Sequence, residues 1–197
     1  NSRKGALTGD MGSILVSLNT IILIFTGACA ILFVINLNTF KIERILAMKP
    51  KFDGYAAQYD AWFMENDKLF ESELRLFKKA LGDVEGKRVL SVGCGSGLFE
   101  SMIDFSNIEG IEPSRDMGAI AQKRGINVVQ FGAIEDAELE ENAYDVIYLN
   151  GSSSYIEDLA YAFNICKKAL KPNGKFISLD VPKESAFGFM YLLAKAV

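Results

Sequence analysis

Between residues 67 and 81 apolar side chains return every third or fourth position. Phe70, Leu74, Phe77 and Leu81 form a stripe beside Glu71, Glu73, Lys78 and Lys79. That period predicts an amphipathic helix over 67–81, which Gly82 and Asp83 end. The mixed aromatic and small residues of 52–64 predict a shorter helix before it. After residue 87 short apolar runs alternate with amphipathic stretches. They predict strands at 88–92, 107–112, 127–131, 144–149 and 175–180, with helices at 98–105, 117–123 and 156–170. Strands that alternate with helices pair in parallel through right-handed crossovers. The expected class is therefore α/β, a doubly wound, mostly parallel, Rossmann-like sheet with helices on both faces. Phe187, Met190, Tyr191 and Ala194 mark the apolar face of one more helix, over 185–196.

A different pattern fills residues 11–40, which contain no charged side chain. About 20 apolar residues suffice to cross a bilayer as a helix. A transmembrane helix is expected at about 13–37, within an amino-terminal flank of 1–47, ahead of a domain over 48–197. Arg3 and Lys4 precede the run, and Lys41, Arg44, Lys49 and Lys51 follow it. The positive-inside bias then gives a membrane-anchored protein with its domain in the cytoplasm. Two alternatives stay open: a buried helix, or non-native sequence ahead of a start at Met48, which would make the protein cytoplasmic.

The chain has a formal net charge of −4, and no basic stripe emerges. Nucleic acid is thus not an expected partner. Cys29, Cys94 and Cys166 stand far apart and there is no histidine. Neither a disulfide framework nor a metal site is expected.

The most informative stretch is 89–97, VLSVGCGSG, an apolar run that breaks into three alternating glycines. It reads as a buried strand entering a tight turn where a ligand can lie against bare backbone. A second strand, 108–112, ends in Glu112, about 20 residues further on, where a carboxylate can accept both hydroxyls of a ribose. The alternative for the glycines alone is packing. With the acid, the two segments describe a nucleotide-like site at the carboxyl ends of parallel strands.

From about residue 52 onward the chain resembles the class I S-adenosylmethionine-dependent methyltransferases, particularly the small-molecule type with a Tyr-Asp-x-Trp-Phe helix, here 59–63. The resemblance rests further on the glycine loop, on 110–114 (GIEPS), on 144–148 (YDVIY) as a fourth strand, and on 169–174 (ALKPNG) as the turn before a fifth. It implies S-adenosylmethionine as cofactor, with Tyr59, Gly93, Cys94, Gly95, Gly97, Glu112, Met117, Ala133, Ile134 and Asn150 around it. Gly93 and Gly95 would lie against the cofactor, Glu112 would hold the ribose, and Met117 would press on the adenine. Cys94 is read as a small packing residue. Asn150 also begins a glycosylation sequon, but it is expected to line the crevice.

Two positions depart from the family pattern. Ser91 stands where the first strand normally ends in an acid, and Ala133 where an Asp normally meets the adenine amino group; Glu135 or Asp136 could compensate. The sixth and seventh strands are absent and both ends look cut, so a fragment is expected. The implied activity is methyl transfer to a small-molecule acceptor. No catalytic residue is assigned, although Tyr55, Tyr59 and Tyr155 are expected near the mouth. One alternative is a membrane-tethered binding module with weak or lost cofactor use. Another, a nicotinamide dehydrogenase, is disfavoured because Leu98 stands where its fingerprint needs glycine.

Overall fold

The computed structural model describes residues 50–103, 107–182 and 184–185. The chain divides after Lys49, and the described residues belong to the second unit, Pro50–Val197. The expected transmembrane helix and the helix over 185–196 lie outside the described residues, apart from Ser185. Among the described residues no helix is long and apolar enough to cross a membrane.

Two helices come first, α1 (Ala56–Glu65) and α2 (Asp67–Leu81). They are followed by β1 (Val89–Val92), β2 (Ile108–Ile111), α3 (Arg115–Lys123), β3 (Asn127–Gln130), β4 (Tyr144–Asn150), α4 (Leu159–Ala169) and β5 (Leu170–Leu179). The five strands form one sheet in the order β3-β2-β1-β4-β5, every pair parallel. The order reverses between β1 and β4, so the crevice outside their carboxyl ends is the switch point where ligands of such sheets bind.

Alternation along β1 sets the layers. Val89 packs in a cluster with Phe70, Phe77 and Leu81 of α2 and with Val146 and Tyr148 of β4. Leu90 and Val92 pack in another with Ile147 and Leu149 of β4 and Ala162, Cys166 and Ala169 of α4. Helices thus cover both faces, as the sequence pattern predicts. Phe77 is the centre of the first layer, 1% exposed, with its ring 5.2 Å from that of Tyr148. Truncating so buried a phenylalanine to alanine costs about 3–5 kcal/mol.

Three boundaries differ from the sequence reading. The helix expected at 98–105 is only a 3-10 turn at Glu100–Met102, with Ile103 already extended. Leu98, Phe99 and Glu100 are all buried, and three consecutive inward side chains cannot share one face of an α-helix. α4 starts at Leu159 because the Asp158 side chain accepts the Tyr161 N–H at 2.9 Å. β5 begins at Leu170, directly after α4, since Leu170 pairs with Tyr144 before the register shifts and pairing resumes at Val146 and Lys175.

Candidate functional site

All four residues of β1 are buried, and the strand delivers the chain to the switch point. There Gly93, Gly95 and Gly97 all have positive φ, at 72°, 57° and 69°. The N–H groups of Gly93 and Cys94 both donate to the Ile111 carbonyl, at 2.8 and 3.1 Å, which fastens the loop to β2. The three glycines serve three different neighbours. A Cβ on Gly93 would stand 2.6 Å from the Ser152 Cβ, and Ser152 Oγ donates to the Val92 carbonyl at 2.6 Å. Close approach of the chain after β4 therefore demands glycine here, a reason the sequence does not display. A Cβ on Gly97 would meet Ile126 and Ala121 at 3.0–3.3 Å, so glycine lets α3 settle on the loop. Of the three, Gly95 alone looks onto open space, with nothing within 4 Å of the point where a Cβ would stand.

Cys94 turns away from that opening. Its Sγ would stand 2.7 Å from a Cβ on Gly110, and burial pushes its thiol up, out of thiolate range at neutral pH.

Glu112 lies just past β2 and is 6% exposed. Its Oε2 accepts the Gly95 N–H at 2.8 Å and its Oε1 the Ser114 N–H at 2.9 Å. Burial raises its pKa, and the two N–H bonds oppose that rise. Ser114 is also the N-cap of α3, accepting the Met117 N–H. Met117 itself is 2% exposed. Past β3, Ala133 uses its carbonyl to accept from Gln130 Nε2 at 2.9 Å, and Ile134 is buried in the core layer beneath α4. Glu135 is held elsewhere, its Oε1 accepting the N–H groups of Glu157 and Asp158 at 2.9 and 3.2 Å. Asn150 ends β4, half-buried, paired with Leu179.

Tyr59, on α1, is half-buried between the rings of Phe52 and Phe63, with centroids at 5.9 and 5.1 Å. Burial pushes its phenol well above the usual range. Phe52 also meets Tyr155 edge-on at 5.2 Å, and Lys51 lies 5.1 Å from the Tyr155 ring. Tyr55 and Tyr155 are 60% and 51% exposed.

Sequence reasoning missed two polar groupings. Asp60 accepts from Ser96 Oγ and from Arg124 Nη2, both at 2.6 Å, while Arg124 Nη1 donates to the Ser96 carbonyl at 2.9 Å. These bonds, with Ser114 Oγ to Asp53 and the Gly54 N–H to Asp116, stitch residues 53–60 across the loop and α3. Asp60 belongs to the Tyr-Asp-x-Trp-Phe segment, so its position was a signal, but its partners were not. The second grouping lies at the first departure from the pattern, Ser91. Glu100, 5% exposed, carries its Oε1 to Ser91 Oγ at 3.0 Å and to Tyr148 Oη at 2.7 Å. A carboxyl is thus brought to the end of β1 from the turn after the loop.

Among the described residues no cluster of side chains could hold a metal ion. The methyltransferase domain family matches residues 64–193. The chain belongs to that family. An uncharacterized protein of Methanocaldococcus jannaschii is 32% identical over 140 residues, 71% of this chain and 65% of its own length. A malonyl-[acyl-carrier protein] O-methyltransferase of Bacillus cereus is 30% identical over 119 residues, 57% of this chain and 44% of its own. The chain therefore spans less than two thirds of the length of these relatives. A solved methyltransferase of Thermotoga maritima, described as S-adenosylmethionine-dependent and a possible histamine N-methyltransferase, superposes with a TM-score of 0.67. It is 28% identical and the match covers 74% of this chain and 67% of that one.

The family's cofactor is S-adenosylmethionine, and the chemistry at the switch point of this methyltransferase domain suits it. Gly95 leaves open space against the backbone, and Glu112 sets two carboxylate oxygens at the same loop, each holding one backbone N–H.

Proposed function

We propose that the protein is an S-adenosylmethionine-dependent methyltransferase that acts on a small-molecule acceptor. The observation that carries this reading is the buried Glu112 carboxylate that accepts the Gly95 N–H at the sheet's switch point, in a loop where a Gly95 Cβ would meet only open space. Glu112 would hold the ribose hydroxyls, exchanging its bonds to backbone N–H for bonds to the ligand. Gly93, Cys94, Gly95 and Gly97 would supply the loop around it, with Met117, Ala133 and Ile134 on the adenine side and Asn150 and Tyr59 on the acceptor side.

The bound cofactor supplies a methyl group on an already activated sulfonium. What remains for the protein is alignment of acceptor and methyl in line, and exclusion of water. A base is needed only for an acceptor that keeps its proton at neutral pH. The raised phenol of Tyr59 makes it a hydrogen-bond donor there rather than a base. The exposed rim of Tyr55 and Tyr155 supports a flat or apolar acceptor. The uncharged run at 11–40 supports delivery of such an acceptor from a bilayer. Loss of vesicle partition on deletion of 1–47, with transfer to apolar acceptors weakened, is the outcome that tethering requires.

Isothermal titration of S-adenosylmethionine, followed by transfer of its labelled methyl to a panel of phenols, carboxylates and amines, tests both binding and chemistry. Saturable binding with transfer to at least one class is expected. A folded chain that does not bind would instead favour a tethered binding module, to which the back-bonded Glu112 and the Ser152 contact on Gly93 would then belong.

A further inference from the structure

Glu100 is an acid beside the glycine loop that takes no part in holding the ribose. It is almost fully enclosed, yet both of its hydrogen-bonding side-chain partners, Ser91 and Tyr148, are neutral hydroxyls, and both meet the same oxygen, Oε1. A hydroxyl pair can serve a carboxylate or a carboxylic acid, because each O–H donates to Oε1 in either form, and it holds the charged form more strongly. The proton of the neutral acid then belongs on Oε2. Removing a charge so enclosed from water favours the neutral form, and burial accordingly raises the Glu100 pKa. The charged and titratable groups around it come from every neighbouring element. They are Tyr59 on α1, Cys94 in the loop, Glu112 after β2, Arg124 after α3 and Tyr148 on β4. Only Arg124 among these is a cation, and it is already bonded to Asp60 at 2.6 Å.

S-Adenosylmethionine carries a sulfonium cation that its demethylated product lacks. We propose that Glu100 is the charge-matching residue of the cofactor site. Its carboxyl, tied to Ser91 and Tyr148 beside the glycine loop, releases its proton to solvent when the sulfonium enters and takes one back once the sulfur is a neutral thioether. The inference rests on the methyltransferase reading. It deepens that reading by making one buried acid the group that tells substrate cofactor from product. Glu100 is a positioning residue in this scheme, acting through its field and not by contact with the transferred methyl.

The test is titration calorimetry of the full chain at pH 7 with S-adenosylmethionine and, separately, S-adenosylhomocysteine, each in phosphate and in Tris. The two buffers differ in ionisation enthalpy, so the difference in heat counts protons released. The wild type is expected to release more protons with the sulfonium ligand than with the thioether, by a fraction of a proton up to one. In Glu100→Gln, which keeps the acceptor oxygen for both hydroxyls, that difference should vanish. The ratio of the two affinities should also shift toward the thioether on the order of tenfold, the loss of one unscreened neighbouring charge. Equal proton counts for the two ligands in the wild type would overturn the inference even if the variant does not fold. So would a variant with the wild-type ratio and count. Binding of neither ligand to the folded wild type would overturn the methyltransferase reading itself, and the inference with it.

Discussion

At the amino ends of the strands, Arg88 holds both Glu109 and Glu140 at 2.7 Å, and Lys171 holds Asp145 at 2.7 Å. At the carboxyl ends, Glu100 and Glu112 are held by hydroxyls and backbone N–H groups instead. The amino end also has a hollow, a cavity of about 430 Å³ bordered by Leu81, Asp83, Asp145, Lys171 and Lys175. Size does not make that hollow the site. Its one ion pair, among the described residues, is Lys171 with Asp145, and its other lysines, Lys175 and Lys87, already donate to the carbonyls of Ala80 and Asp83. The carboxyl end keeps acids whose partners are neutral and exchangeable, which is what a ligand with hydroxyls and a positive charge needs. Buried acids held by neutral donors, and not volume, distinguish the candidate ligand end of this sheet.

The sharpest way to break that contrast is Glu112→Ala. Losing two charge-assisted bonds, each worth about 1.5–3 kcal/mol, should weaken S-adenosylmethionine binding by roughly a hundredfold or more, read by calorimetry. Gly93→Ala comes next. The new Cβ meets Ser152 at 2.6 Å and φ there is positive, so a loss of about 2–4 kcal/mol in urea unfolding is expected. Adding Ser152→Gly should recover the steric part and leave the backbone part, about 1–2 kcal/mol. If the double variant recovers nothing, the Ser152 contact is not what fixes glycine at 93.

A smaller effect belongs to Asp60→Asn. The pair it forms with Arg124 is only 19% and 25% exposed at its two side chains, so about 1 kcal/mol of coupling is expected in a double-mutant cycle with Arg124→Gln. Glu100→Gln should reveal a pH dependence with a definite sign. A carboxyl whose pKa is raised in the fold contributes stability below its ordinary pKa and loses it as pH rises toward the raised value. The variant, which cannot ionise, should therefore gain in melting temperature relative to wild type as pH is raised from about 4, the ordinary carboxyl range. The least effect is expected at the other end of the sheet. Lys171→Ala should melt within about 2 °C of wild type and bind cofactor unchanged, since an exposed ion pair contributes little.

The sheet was legible because burial wrote itself into period. Helix α2 matches its stripe residue for residue, and the strands fall within a few residues of their apolar runs. The glycine turn after β1 and the acid after β2 could be located from local order alone. What stayed hidden depends on chain segments meeting. Glu100 looks like an ordinary polar position on an amphipathic turn until Ser91 and Tyr148 close over it. Nor does any local signal say that Gly93 answers to Ser152, or that Asp60 reaches Arg124. Apart from Ser91 and Glu100, which are 9 residues apart, these pairs join distant stretches of sequence, where periodicity carries no information.

The strand order has a consequence for how the molecule comes to be. β1 meets β2 after one short excursion of the chain, but its other neighbour is β4, with Val89 opposite Val146. Loop closure over so long a stretch is entropically costly, and the contacts that offset it arrive late. Among the described strand pairs that of β1 with β4 spans the longest stretch of chain, so it is expected to be the last to gain protection in pulsed hydrogen exchange during refolding. The crevice outside the carboxyl ends of those two strands exists only once they are paired, so local structure alone does not build the candidate site.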